Sequence, residues 1–226
     1  MAARAPRIAL IHAVYAAMAP ASAAFAALWP EARCVNLVDD ALPADLEAAG
    51  SLTPAIHARI GRLAQHAVLA GADGVLFTCS AFGPAIEAAG AAAPVPVLKP
   101  NEAMFDVALG AGRRIGLLGT FAPALASMAD EFHALALARG LAPDLVAHCV
   151  PAAMQAHRRG DIQAHDQLLA ADMPRLAGCD VVMLAHFSTS TAMDAVRAVY
   201  AGPVLAAPAA AVQALKRRIA AGPGNR

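Results

Sequence analysis

Apolar residues along the chain fall into two kinds of run. Short blocks without alternation, Ile8 to Ile11, Val35 to Val38, Val75 to Thr78 and Val95 to Leu98, have the pattern of parallel strands covered on both faces. Ile115 to Leu118, Leu145 to Val150, Val181 to Ala185 and Val204 to Ala206 form a second set of the same kind. Between them apolar residues recur at helical spacing. Ile56, Ile60, Leu63 and Ala67 share one face of a helix that Thr53 caps, Pro54 opens and Gly71 closes. Asp161 caps a second such stretch, with Ile162, Leu169, Met173 and Leu176 on its face and Gly178 as its stop; Pro174 predicts a kink. After Pro208, Val212, Leu215 and Ile219 mark a last amphipathic helix. Strand and helix signals alternating in this way predict right-handed βαβ units and open parallel sheets.

The second set of elements repeats the first. GADGVLFTCSAFG from Gly71 returns as GCDVVMLAHFSTS from Gly178, so that Asp73 falls on Asp180, Val75 on Val182 and Cys79 on His186, each 107 residues further on. The same offset carries Arg7-Ile8 to Arg114-Ile115, Phe25 to Phe132, Leu28 to Leu135 and Pro96-Val97-Leu98 to Pro203-Val204-Leu205. Separate anchors sharing one offset indicate an internal duplication. The register drifts by a few residues around Asn36 and Ala147, where loop lengths differ. The expected fold class is α/β: two similar parallel-sheet lobes related by a pseudo-twofold axis, with the active-site cleft between them.

Composition narrows the function classes. At 226 residues the chain can form one large domain or two lobes of roughly 100 residues each. Its 17 basic and 17 acidic residues balance without charge runs, which argues against a nucleic-acid partner. With 59% apolar and 15% charged residues, buried sheets and close-packed helices are expected rather than disorder. Arg4 and Arg7 ahead of the uncharged stretch Ile8 to Pro30, with Ala21-Ser22-Ala23, resemble a signal peptide. The match of Arg7 to Ile11 with Arg114 to Leu118 favours a structural strand instead, and His12 and Pro20 interrupt any membrane span. A soluble, cytoplasmic protein without a membrane partner is expected, and homo-oligomerisation is compatible with the sequence. Cys34, Cys79, Cys149 and Cys179 lack CxxC spacing, so neither a metal site nor a disulfide framework is expected. No phosphate-binding loop is present, which disfavours nucleotide chemistry.

In open parallel sheets ligands bind beyond the carboxyl ends of the strands. Cys79 and His186 both stand there. Ser80-Ala81-Phe82-Gly83 follows Cys79, with Pro84 suited to the first helical position; Phe187-Ser188-Thr189-Ser190 follows His186, with Ser190 as the expected cap. Free N–H groups at such helix starts can cradle a carboxylate or enolate oxygen and are expected to lower the pKa of Cys79. The plain alternative makes Cys79 a strand-end core residue, but Thr78, Ser80 and the polar match in the repeat favour chemistry. For His186 a structural, hydrogen-bonded role and a reactive one both stay open. Lys99, after Val95 to Leu98, could meet an acidic substrate or simply be solvated. Glu102 is explained by the helix dipole. His57, His66, His133, His157 and His165 fall on predicted helices as surface or packing residues.

Over essentially its whole length the chain resembles the aspartate/glutamate/hydantoin racemase superfamily, which also holds maleate isomerase and arylmalonate decarboxylase. The resemblance rests on the duplication, on LFTCSAFGPAIEAA around Cys79, on VPVLKPNEAMFDVAL ending the first half and on RRIGLLGTFAPALASM opening the second. It implies a cofactor-independent enzyme in which a cysteine from each lobe moves a proton at a carbon next to a carbonyl. Cys79 matches the first cysteine, Thr78 and Ser80 the adjoining anion-binding positions, and Thr120 and Phe121 the turn after the second lobe's first strand. His12 becomes a pocket-lining residue, with Phe187 and Ser188 completing the substrate-binding set. His186 stands where the second cysteine belongs, a departure that suits two-base chemistry by Cys79 and His186 or a one-sided reaction. The implied division is 1–99 plus 208–226 for the first lobe and 100–207 for the second, the last helix returning to the first. The leading expectation is a racemase- or epimerase-type isomerase of a small carboxylated or amide-containing compound. A decarboxylase of the same fold and a non-catalytic small-acid binding protein are the alternatives.

Overall fold

Where the sequence runs apolar without alternation the chain forms strands, and these assemble into two four-stranded sheets in a computed structural model that describes residues 4–222. The chain divides into two units: one runs up to Pro100 and takes in the residues from Ala211 onward, the other is Asn101–Ala210. In the first unit the order along the chain is β1 (Arg7–His12), α1 (Met18–Leu28), β2 (Arg33–Val38), α2 (Leu42–Ala49), α3 (Pro54–Leu69), β3 (Gly74–Phe77), α4 (Gly83–Ala92) and β4 (Val97–Leu98). The second unit holds α5 (Glu102–Ala111), β5 (Arg114–Gly119), α6 (Ala122–Ala138), β6 (Asp144–Cys149), α7 (Pro151–Arg158), α8 (Ile162–Ala171), β7 (Val181–Leu184), α9 (Met193–Arg197) and β8 (Val204–Ala206). A last helix, α10 (Ala207–Ala221), spans the boundary between the two stretches of sequence. Among the described residues no helix is long and apolar enough to cross a membrane.

Both sheets are parallel and have one topology, β2-β1-β3-β4 and β6-β5-β7-β8. The central strands are buried on both faces; β3 and β7 have no exposed residue. The outer strands β2 and β6 are instead partly exposed, because an edge strand has one neighbour and incomplete helical cover. The 107-residue offset holds for the bounds of β1 and β5 and of β3 and β7, and for the starts of β4 and β8. It widens to 111 residues from Arg33 to Asp144, which pair with Arg7 and Arg114 respectively; the drift expected from loop length is mostly helix, since α6 runs to Ala138, three residues past the counterpart of Leu28, and the loop after it is one residue longer.

The same carboxylate fixes the start of each sheet. Asp73 accepts the Arg7 backbone N–H at 2.6 Å, and its counterpart Asp180 accepts those of Arg113 and Arg114, each at 2.8 Å. Those two amides hold the Asp180 carboxyl below the usual carboxylate range.

Helix ends follow the sequence signals in part. Thr53 accepts the Ile56 N–H and Asp161 accepts the Ala164 N–H, capping α3 and α8. Pro174 does more than kink: α8 stops at Ala171 and a 3₁₀ turn, Met173–Leu176, replaces its continuation. The buried face of α8 is also shifted. Ile162 is 37% exposed, while His165 and Leu169 are buried. In α10, Val212 and Leu215 are buried, and a Cβ at Gly74 would lie 2.8 Å from Ile219 Cδ1 and 2.9 Å from Leu215 Cδ1. The terminal helix therefore seats directly on the first residue of β3.

Two glycines test this packing in opposite directions. A Cβ at Gly112 would fall 2.3 Å from the Asp180 Cβ, a contact with no flexible partner to yield. Gly112→Ala is expected to displace the Asp180 anchor and destabilise the fold by about 1–3 kcal/mol, as overpacking does. Gly61, inside α3 with nothing within 4 Å of its Cβ position, should gain about 0.5–1 kcal/mol on replacement by Ala. Thermal unfolding of the two variants beside the wild type reads both signs.

Candidate active site

Cys79 leaves β3 in extended conformation and is followed by a 3₁₀ turn, Ser80–Phe82, and then by α4. Pro84 occupies the second residue of that helix, one later than the sequence suggests, because Gly83 already has helical geometry. The Ala81 backbone N–H interacts with the Cys79 thiol and favours the thiolate, but burial acts more strongly and raises the thiol above its ordinary value. The expected lowering is thus reversed: withdrawal from water costs the thiolate more than one amide dipole returns. Ser80 is half-buried beside it.

Beneath Cys79 lies a polar cluster. His12 ends β1, is fully buried, and places Nδ1 2.9 Å from Thr78 Oγ1 and Nε2 3.0 Å from Asn36 Oδ1. With the Asn36 oxygen as acceptor, Nε2 carries the proton and Nδ1 accepts from the Thr78 hydroxyl. Burial lowers the His12 pKa, and the Asn36 hydrogen bond opposes this only partly. Sequence reasoning missed Asn36; the signal available was a lone polar residue inside the apolar run of β2.

The second unit has no such cluster at the equivalent positions. Strand pairing places Gly119 where His12 stands, Ala147 where Asn36 stands and Ala185 where Thr78 stands. The space is taken up by hydrocarbon, since a Cβ at Gly119 would lie 2.9 Å from Leu125 Cδ2 and 3.0 Å from the Ala185 Cβ.

His186 follows β7 with φ 68°, and among the described residues no other non-glycine has positive φ. Histidine tolerates this left-handed region better than most residues, but still at a cost. Both ring nitrogens are buried without a hydrogen-bond partner. Burial lowers the His186 pKa; the Ala185 carbonyl favours the charged ring more weakly. No hydrogen bond of normal geometry forms there, and the Ala185 carbonyl instead accepts the Thr189 hydroxyl. The segment after His186 is a five-residue 3₁₀ stretch, Ser188–Ala192, leading into α9. Ser190 does not cap a helix there: its hydroxyl donates to the Phe187 carbonyl at 2.7 Å, inside the turn. Phe187 is buried, Ser188 is half-buried, Thr120 is buried at the end of β5, and Phe121 beside it is 46% exposed.

The site residues read from the sequence thus form two groups. His12, Thr78, Cys79 and Ser80 lie at the carboxyl edge of the first sheet, and Thr120, Phe121, His186, Phe187 and Ser188 at that of the second. Lys99 forms an ion pair with Glu87. Among the other histidines, His165 is a packing residue: it is buried and bonded to Asp166. Among the described residues no group of three or more His, Cys, Asp or Glu is placed to hold a metal ion.

A family model described as Asp/Glu/hydantoin racemase matches residues 12–146, a stretch that includes Cys79 and ends before His186. No protein of curated function matches the sequence. Solved structures resemble the chain over nearly its full length. Allantoin racemase from Klebsiella pneumoniae aligns with a TM-score of 0.70 at 18% identity, covering 96% of this chain and 88% of that one. Aspartate racemase from Picrophilus torridus aligns with a TM-score of 0.73 at 13% identity, covering 95% and 94%. A variant of arylmalonate decarboxylase gives 0.67 at 19% identity, covering 98% and 95%. At these identities the likeness speaks for the fold.

The shifted groups give two measurable outcomes. Alkylation of Cys79 by iodoacetamide, followed by peptide mass spectrometry, should be slow at neutral pH and accelerate only above the ordinary thiol range. Stability should fall as pH drops below the ordinary imidazole value of 6.5, because unfolded His12 and His186 take up protons that the folded forms resist. His186→Gln should flatten that decline in chemical denaturation curves taken across pH.

Proposed function

Because the chain belongs to the Asp/Glu/hydantoin racemase family, we propose that it is a cofactor-independent isomerase of a small carboxylated or amide-containing compound. It moves a proton at the carbon next to the carboxylate or carbonyl, with Cys79 and His186 serving opposite faces of that carbon. The observation that carries this reading is the state of His186: a neutral imidazole in a left-handed turn, with both nitrogens buried and unbonded. Leaving buried nitrogens unmatched costs about 1–3 kcal/mol, which a structural histidine would avoid by bonding to its surroundings. A histidine kept for a substrate would not.

The protonation states set the direction of the first turnover. Neutral His186 takes the α-proton, and the electron pair spreads into the adjoining carboxylate or carbonyl. Cys79, held protonated by burial, returns a proton to the other face. The enzyme is left as imidazolium and thiolate, the pair that runs the reverse conversion, and no proton is gained or lost overall. Hydroxyls of Ser80, Thr120 and Ser188 donate to the substrate oxygens, Phe121 and Phe187 bound the site, and Thr78 lines it with its own proton given to His12 Nδ1.

A second reading uses the same buried thiol. A protonated thiol equally suits a decarboxylase, where loss of carbon dioxide leaves a carbanion that Cys79 protonates before regaining its proton from water.

The test is incubation of candidate acids in deuterated water, with α-hydrogen exchange read by NMR and carbon dioxide release measured in parallel. Cys79→Ser should reduce exchange by about 10²–10⁴-fold while the fold persists. His186→Ala should suppress racemisation and leave exchange from the Cys79 side measurable. Full activity of Cys79→Ser on a confirmed substrate would reject the assignment.

A further inference from the structure

Among the described residues, one side-chain hydrogen bond, from Thr191 to Asp166, ties the turn that carries His186 to a helix of its unit. Thr189 donates to the Ala185 carbonyl and lies 3.1 Å from that of His186, Ser190 donates to Phe187, and the Thr191 hydroxyl is 3.3 Å from the Ser188 carbonyl. These contacts stay within the segment or reach back to the strand end. The exception is Thr191, whose hydroxyl lies 2.7 Å from Asp166 Oδ1 on α8. A threonine hydroxyl has one proton, and the shorter contact to a charged acceptor takes it.

Asp166 is itself held. Its Oδ1 also lies 2.7 Å from His165 Nδ1, and since a carboxylate only accepts, that nitrogen carries the proton. The His165 side chain is 1% exposed and that of Asp166 20%, so the pair sits where solvent screens it little. The His157 ring packs edge-on against His165 with centroids 5.2 Å apart. A five-residue 3₁₀ run is longer than such turns usually persist, and it follows a non-glycine residue at positive φ. Both features require support from outside the turn.

We propose that Asp166 is a positioning residue for His186. Its carboxylate, fixed by His165, holds the Thr191 hydroxyl and so keeps the turn in the form that aims the imidazole. The role rests on the reading of His186 as a reactive group, but its test reads ring position and not turnover, so the two can fail separately.

The experiment records imidazole carbon–proton correlations of the full-length protein at fixed pH, the His186 signal being identified by its loss in His186→Gln. Thr191→Val should shift or broaden that signal, Asp166→Ala, which removes the shared acceptor, should do likewise, and Thr191→Ser should restore the wild-type position. Thr53→Ala, which removes the cap of α3 in the other unit, should lower Tm and leave the His186 signal in place. An unmoved signal in Thr191→Val, failure of Thr191→Ser to restore it, or an equal shift in Thr53→Ala would each overturn the proposal.

Discussion

A parallel strand covered on both faces cannot carry a polar side chain along its length, and that constraint decides where this molecule can do chemistry. β3 and β7 are buried from end to end. Polar groups on these strands become affordable only at the last residue or just beyond, where the hydrogen-bond ladder ends and free amides begin. Thr78 and Cys79 in one unit, and His186 in the other, stand at that limit. The carboxylates of Asp73 and Asp180 do the complementary job at the opposite ends, satisfying the amides that open β1 and β5.

Burial at that edge is also what sets the charge states. Cys79 is pushed toward the thiol and His186 toward neutral imidazole by the same cause, withdrawal from water, which disfavours thiolate and imidazolium alike. The single amide near Cys79 cannot reverse this. Each group rests uncharged, unlike a thiolate kept ready by an adjacent cation.

Much of the fold was legible in the chain because strand signals depend on local pattern. The repeat placed β5 and β7 from β1 and β3 to the residue, and Thr53 and Asp161 were recognisable as caps from their position before apolar periodic stretches. The features that escaped depend on neighbours distant in sequence. Ser190 looked like a cap, but a 3₁₀ turn claims its hydroxyl. His165 could be read only as a surface or packing residue, and it proves to be packing, taking the buried face of α8 that Ile162 was expected to share. The sign of the Cys79 shift could not be read from a strand–turn–helix motif, since burial is a property of the folded unit. That the candidate residues stand at strand ends was legible in the chain; the His12–Thr78–Asn36 hydrogen bonds needed the pairing of β1 with both neighbours.

The replacement of that cluster by Gly119, Ala147 and Ala185 in the second unit has an evolutionary meaning. After duplication the two halves began as interchangeable parts, and any residue could have been exchanged with its twin. They no longer can be. A histidine at position 119 would enter space already filled by Leu125 and Ala185, while a glycine at position 12 would leave Thr78 and Asn36 facing each other across a void. A chain assembled from two copies of either half would carry a defect at this depth. The symmetry survives in the backbone as ancestry, and the side chains beneath the two strand ends have made the duplication irreversible.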